Sequence, residues 1–403
     1  MEVSIMKLKS LKFKHIAVFS LLMSITTLFI AGCSGSGGQN TGADGKKVIK
    51  IGVFEPLSGE NGGGGLQEVL GVRYANKVYP TVNVGGEEYK VELVEVDNKS
   101  DKTEAVSAAQ KLVSDKVTMV LGSYGSSVSI AAAPIFEQAK IPAIGLSCTN
   151  PQVTLGNEYY FRVAFIDPFQ GKIMAKYAID SGAKKAAVLT QLGDDYSSGL
   201  GAFFEKAFKE YGGEIVKSEQ FQTNQTDFRA VLTNIKAAEP DFIFAPSSIT
   251  TAPLIISQAR ELGITAVIGA GDTWENSTII DNAGKNAEGI VFSTFFDEAE
   301  PANDEASKFI PGFKEYLKEN KQPEIIPAVS VLGYDGYIVA LKAIEKAGST
   351  DTAAIQAALK DVSIDGVTGS LSFDENGDAK KSIAYIKTVK DGKITFLTTT
   401  KFD

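Results

Sequence analysis

Short apolar runs alternate with stretches of helical periodicity, and that order is written twice along the chain, which leaves few folds open. Segments 48–54, 89–96, 117–121 and 141–146 are each rich in β-branched or apolar residues and long enough for one buried strand. Candidate helices lie between them at 66–78, 103–114 and 127–140. After a further strand at 159–164 the pattern restarts. Helices at 168–181, 197–211, 227–237 and 252–262 now separate strands at 186–191, 214–221, 242–245, 266–269 and 289–292. Alternation at this spacing predicts an α/β fold of mostly parallel sheets with right-handed crossovers. The chain has 403 residues, against a usual ~100–200 per domain, so two lobes are expected. Long helices at 304–320 and 328–347, a shorter one at 352–360, and strands at 369–373, 383–389 and 394–398 complete the pattern.

The segment 121–150 carries the densest chemical signal. Its two flanking strands both break off into Gly, Ser and Thr, so each ends in hydroxyls. The helix between them has an apolar face of Val128, Ile130, Ala131, Ile135, Phe136 and Ala139, with Ser126 or Ser127 placed to cap its first turn. At the carboxyl end of such a strand, free N–H groups and the positive end of a helix dipole face the crevice, so a carboxylate there needs no lysine. Ser126 and Thr149 are the two expected sides of an anion seat, because ligands of open α/β sheets bind at that edge. Gly59, Gly62 and Gly65 lack dinucleotide-binding spacing, and the glycine-rich run 62–65 is expected to be a loop able to close over a small ligand. Asp374, Asn376 and Asp378 open like a calcium loop. Ala379 stands where the loop needs glycine and no glutamate occupies the twelfth position, so a turn is expected and no metal.

At the beginning, Lys7, Lys9, Lys12 and Lys14 precede an apolar run at 16–30, too short for a spanning helix and right for a secretory leader. The run ends in Ile30-Ala31-Gly32-Cys33, which resembles the lipobox of bacterial lipoproteins. That likeness implies a leader at 1–32, a diacylglyceryl group on the Cys33 thiol, and attachment to the outside of the cell membrane by lipid alone. A Gly/Ser-rich tether at 33–46 would follow. The formal net charge of −9 grows more negative once the leader's lysines are removed, and no basic run offers to neutralise phosphates, so nucleic acid is excluded as a partner. With Cys33 acylated, Cys148 is the only remaining thiol and no internal disulfide forms. The single histidine, His15, lies in the leader. The mature chain therefore has no imidazole for a catalytic triad or a metal site, and no G-x-S-x-G or P-loop motif replaces it.

Taken together, Ile51-Gly52 leading to Pro56-Leu57-Ser58-Gly59, Asp97-Asn98, the run 122–127, the run 141–149, 193–196, Gln258-Ala259-Arg260 and Phe373-Asp374 with Gly377-Asp378 resemble the solute-binding proteins of branched-chain amino-acid transporters. The likeness covers nearly all of the mature chain. It implies the type I periplasmic binding protein fold, two Rossmann-like lobes joined by three crossovers near 164–168, 291–294 and 365–369. Lobe 1 would be 47–165 plus 294–366, and lobe 2 would be 166–293 plus 367–403. By the same resemblance Ser126 and Thr149 contact the ligand carboxylate, the Ser147 carbonyl accepts from its ammonium, Tyr196 closes from the second lobe, and Asp272 pairs with the ammonium. Gly64 and Ser248 replace aromatic residues that relatives carry, which opens the side-chain end of the pocket. Trp274 and Tyr124 are the candidates to refill it. The implied function is a monomeric, non-enzymatic, cofactor-free lipoprotein that delivers leucine, isoleucine or valine to an ABC permease and its ATPase subunits. Alternatives are an aromatic amino acid or another small amide or carboxylate as ligand, a sensor serving a signalling partner, and a surface hydrolase using carboxylate or tyrosine chemistry.

Overall fold

The computed structural model describes residues 47–401. The expected leader 1–32, Cys33 and the tether 33–46 lie outside them. The first half runs β1 (Val48–Glu55), α1 (Gly62–Val78), β2 (Thr81–Val84), β3 (Glu87–Asp97), α2 (Lys102–Ser114), β4 (Met119–Leu121), α3 (Ser126–Ala139), β5 (Ala143–Gly145) and β6 (Tyr160–Arg162). These strands form a six-stranded sheet in the order β2-β3-β1-β4-β5-β6, parallel except for β2, which folds back on β3 as an antiparallel edge. β1 and β4 are buried throughout, or nearly so, which explains why they read as unbroken apolar runs rather than as alternating ones.

The second half continues with α4 (Asp167–Asp180), β7 (Lys185–Gln191), α5 (Asp195–Glu210), β8 (Glu214–Phe221), α6 (Arg229–Ala237), β9 (Phe242–Phe244), α7 (Ala252–Glu261), β10 (Val267–Ala270), α8 (Ser277–Ala283) and β11 (Val291–Thr294). The last part is α9 (Asp304–Glu319), α10 (Ala328–Ala347), α11 (Thr352–Leu359), β12 (Ser363–Gly366), β13 (Gly369–Ser372), β14 (Ile383–Lys390) and β15 (Lys393–Lys401). A seven-stranded sheet has the order β15-β14-β11-β10-β9-β7-β8, in which β14 and β15 are antiparallel additions to a parallel core. β12 and β13 pair with each other as a separate antiparallel hairpin, and the fold is thus the α/β, mostly parallel architecture, built on two large sheets, that the alternation predicted.

α10 belongs with the first sheet although it lies far along the chain. It packs along α1 at backbone distance, since a Cβ on Gly71 would strike the Ser330 carbonyl and one on Gly333 would strike that of Glu68. The first two passages between the sheets, after β6 and after β11, meet through Phe165 and Phe295, whose ring centroids are 4.3 Å apart.

Three expectations need correction. The run Gly62–Gly65 is the first turn of α1 rather than a loop. Glycine is required there by packing, because a Cβ on Gly65 would meet the Pro56 carbonyl. The third passage comes later than 365–369. Asp335 on α10 accepts from the N–H groups of Val367 and Thr368, both at 2.8 Å, and the Arg162 N–H donates to the Gly377 carbonyl at 2.9 Å. The chain is therefore still beside the first sheet at Asp378 and joins the second with β14. Finally, β2, α8 and β12, all short, were not anticipated.

Candidate functional site

A cavity of about 410 Å³ opens between the carboxyl edges of the two sheets. Tyr124, Ser126 and Ser147 line it from the first sheet, Tyr196 and Asp272 from the second. Five of the seven expected ligand contacts are therefore brought to one place by loops that follow β4, β5, β7 and β10. Thr149 and Trp274 do not line it.

Ser126 is the first residue of α3 and its hydroxyl accepts from the Asn150 N–H at 3.1 Å, which ties the helix start to the segment after β5. Gly125, not a serine, takes the cap position, and no side chain caps the helix. The first turn of α3 keeps the N–H groups and dipole end that an anion needs. Ser127 has another role: it donates to Asp194 Oδ1 and accepts from the Asp195 N–H, both at 2.8 Å, across the cleft. Lys102 pairs with Asp195 at 2.8 Å and Asn150 donates to the Asp195 carbonyl at 2.7 Å, so the two faces meet through protein groups gathered at Asp194 and Asp195.

Asp272 follows β10 and begins a short 3-10 turn that runs to Trp274. Its Oδ1 accepts from Gln170 Nε2 at 2.8 Å and from the Tyr196 hydroxyl at 3.3 Å. Neither donor is cationic. Burial raises the Asp272 carboxyl to about 6, with Glu275 adding repulsion, while the Gln170 and Tyr196 bonds pull the other way. Asp272 is thus a buried carboxylate on the cavity wall with neutral donors only, a setting in which a nearby cation would favour the charged form.

Ser147 Oγ and Thr149 Oγ1 are both buried without an aligned hydrogen-bond partner among the described residues. Thr149 lies beside Asp167, near enough to lower that carboxyl somewhat, yet burial still pushes Asp167 up to about 8. The Thr149 carbonyl accepts from the Asp167 N–H at 2.9 Å, so this hydroxyl sits at the passage between the sheets, behind the cavity wall.

Of the two candidates for refilling the space opposite Gly64, one lines the cavity and the other does not. Trp274 is wholly buried and its indole N–H donates to Ser247 Oγ at 3.2 Å, away from the cavity. Tyr124 takes the space instead, because a Cβ on Gly64 would collide with the Tyr124 ring. Glycine and tyrosine thus act as one pair, the first vacating room that the second fills. Ser248 does line the cavity, with its hydroxyl donating to Thr251 Oγ1 at 2.9 Å.

Arg162 went unnoticed in the sequence. It is fully buried, with Nε on Asp378 at 2.6 Å, Nη1 on the carbonyls of Cys148 and Asn150 at 3.0 and 2.7 Å, and Nη2 on Thr154 Oγ1 at 2.8 Å. It holds in place the segment that presents Ser147. The available signal was one charge inside the apolar run 159–164. Gln170, which orients Asp272, carried no such signal. Among the described residues no group of His, Cys, Asp and Glu is arranged to hold a metal ion.

A family model described as "Periplasmic binding protein" matches residues 48–393. A solved leucine binding protein, LivK of Thermotoga maritima, is 38% identical, with a TM-score of 0.82 over 88% of this chain and 99% of that one. LivJ of Streptococcus pneumoniae, a branched-chain amino acid transporter substrate binding protein solved with isoleucine, is 30% identical, with a TM-score of 0.79 over 88% and 99% of the two chains. A leucine-, isoleucine-, valine-, threonine- and alanine-binding protein of Pseudomonas aeruginosa is 27% identical over 83% of this chain and 87% of its own. Two parallel sheets facing each other across a polar cavity, and a match that spans almost every described residue, make this chain a member of the periplasmic binding protein family.

Proposed function

We propose that this protein is an extracytoplasmic receptor that captures a free apolar amino acid, with leucine, isoleucine and valine favoured, and delivers it to an ABC permease driven by ATPase subunits. The observation that carries the reading is the pair of opposite poles across one cavity: the start of α3 on one side and Asp272, buried with neutral donors only, on the other. A zwitterion presents both complements at a fixed short separation. Enclosing it strips water from two charges, and each charge left unanswered would cost several kcal/mol. In this reading Ser126 and the helix N–H groups hold the carboxylate, the Ser147 carbonyl and Asp272 hold the ammonium, and Tyr196 closes from the second face. Thr149 supports the carboxylate seat from behind, Tyr124 bounds the side chain, and Trp274 packs beneath Asp272. No catalytic residue is assigned, in keeping with a family of binding proteins.

The lobe division follows which helices cover which sheet, with 47–165 and 294–366 on one side, 166–293 and 383–401 on the other, and the hairpin β12–β13 staying with the first. No helix among the described residues is long and apolar enough to cross a membrane. In this reading Cys33, in its lipobox-like setting, carries the attachment. Two acyl chains there anchor stably. Replacing Cys33 by Ser is expected to move the protein from the membrane to the soluble fraction, and continued attachment would remove the lipid assignment. The receptor works as a monomer, since one chain supplies both faces of the cavity.

Thermal-shift screening of the purified protein against the twenty amino acids, with matched carboxylic acids lacking the amino group, tests ligand class and side-chain preference together. Leucine, isoleucine or valine should give the largest shift. An aromatic amino acid ahead of them would move the preference, and an acid without an ammonium stabilising equally well would overturn the zwitterion reading.

A further inference from the structure

Two carboxyl groups lie beneath the ammonium end of the cavity, and the roles assigned above use neither. Glu55 ends β1 and Glu68 sits in the middle of α1; both side chains are wholly buried. The two carboxyls are within hydrogen-bonding reach of each other, a contact that two ionised carboxylates cannot use because both only accept. Glu55 Oε2 accepts from the Tyr124 N–H at 2.8 Å. The other oxygens, Glu55 Oε1 and both of Glu68, have no aligned donor among the described residues, and neither residue forms an ion pair there.

Among the described residues no cation pairs with either acid, and Arg162, bonded to the Cys148 carbonyl, has its own partner in Asp378. From β1 and α1 the two acids face each other. From the segment after β4 comes Tyr124, from the segment after β5 Ser147 and Cys148, and from β6 Tyr160. From across the cleft Asp272 faces Glu68 and repels it, and α10 contributes Gly333 against the Glu68 carbonyl. Burial, then mutual repulsion, pushes Glu55 well above the usual carboxylate range; burial pushes Glu68 to about 8. The Ser147 hydroxyl and N–H lie close enough to Glu68 to favour its ionised form, and Ser147 is itself part of the cavity wall.

We propose that Glu55 and Glu68 hold a proton between them in the ligand-free receptor, and that an ammonium seated on the Ser147 carbonyl and Asp272 drives it out. The proton leaves one carboxyl oxygen for solvent buffer, the pair gains one negative charge, and the ligand's ammonium supplies the balancing positive charge. Glu68 is then a positioning residue, which acts on the ligand through Ser147 and by its field rather than by touching it. Capture becomes linked to proton release, so affinity for a zwitterion rises as pH rises across the neutral range. This inference rests on the amino-acid reading of the cavity.

The test is calorimetric titration of the full-length receptor with leucine near pH 7.5, in buffers of different ionisation enthalpy, which counts protons released per leucine bound. Wild type should release a clear fraction of a proton. E55Q/E68Q, which keeps an oxygen acceptor for the Tyr124 N–H, should release nearly none and bind with a flattened pH profile. The single variants E55Q and E68Q, each with one titratable carboxyl left, answer the same question if the double variant folds poorly. Tight leucine binding by wild type with no proton release, or equal release by wild type and variants, would overturn the proposal while leaving the amino-acid reading intact. Failure of every zwitterion to bind would remove that reading, and this inference with it.

Discussion

Two groups of buried acids lie close together in the same structure and are handled in opposite ways. Behind the cleft, Glu275 and Asp297 share the ammonium of Lys387, with Asp297 at 3.0 Å and Glu275 bonded to both Lys387 and Thr294. Glu275 Oε2 also accepts from the Ala328 N–H at 3.3 Å, which links the second sheet's edge to the start of α10. Beneath the cleft, Glu55, Glu68 and Asp272 have no cation of their own among the described residues. The first group carries its counter-charge permanently and behaves as structure. The second leaves its counter-charge to a proton or to a guest, which is what a reversible receptor for an ammonium requires.

Removing the permanent cation should have the largest effect. Lys387→Met strands Glu275 and Asp297 in the interior and is expected to cost about 3–5 kcal/mol of stability, read as a large fall in denaturation midpoint. A loss no greater than that of a surface change would erase the contrast between the groups. Asp272→Ala, on the other side of the comparison, should leave folding nearly intact and weaken leucine binding at least about tenfold by calorimetry, since it takes away a buried charge-assisted partner. Unchanged affinity would take Asp272 out of the site.

Glu68, and Asp167 at the passage between the sheets, answer pH differently from Lys387. Glu68 and Asp167 are each raised to about 8 in the fold, so between their ordinary unfolded values and about 8 the folded state holds more protons than the unfolded one. Stability from this source is present at acidic pH and lost as pH rises towards about 8. Lys387 is raised above its ordinary 10.5, so its contribution is fully present below that value and constant across the window. The ligand-free protein should therefore melt at a lower temperature at pH 8 than at pH 5, and the slope should shrink in E68Q. A melting point that climbs over this range would contradict the assignment. The smallest effect is expected at the surface: Arg73 and Glu95 pair at 2.6 Å while partly exposed, and Arg73→Ala should cost under about 1 kcal/mol.

How far the sequence could be read depended on whether a feature was local. α10 was read to the residue, because an apolar helix of that length closed by Gly348 needs no knowledge of its neighbours. The hydroxyl-bearing strand ends were visible for the same reason, although of the two residues singled out there, Ser126 and Thr149, only Ser126 lines the cavity. Gly62–Gly65 misled, since a glycine run has no side chains to show a period, and its helical state follows from close contacts with Pro56 and Tyr124 that lie elsewhere in the sequence. Trp274 misled because proximity to Asp272 along the chain says nothing about which way a 3-10 turn points its indole. The Glu55–Glu68 contact joins a strand end to a helix thirteen positions on, and nothing in either neighbourhood marks those acids as buried.

The mouth of the cleft is fastened by bonds between protein groups, Ser127 to Asp194 and Asp195 and Lys102 to Asp195, none of which belongs to the proposed guest contacts. Apparent affinity is the intrinsic affinity scaled by the fraction of molecules able to shut. Evolution therefore has a dial on the rim that retunes how avidly the receptor scavenges, leaving its choice of cargo untouched.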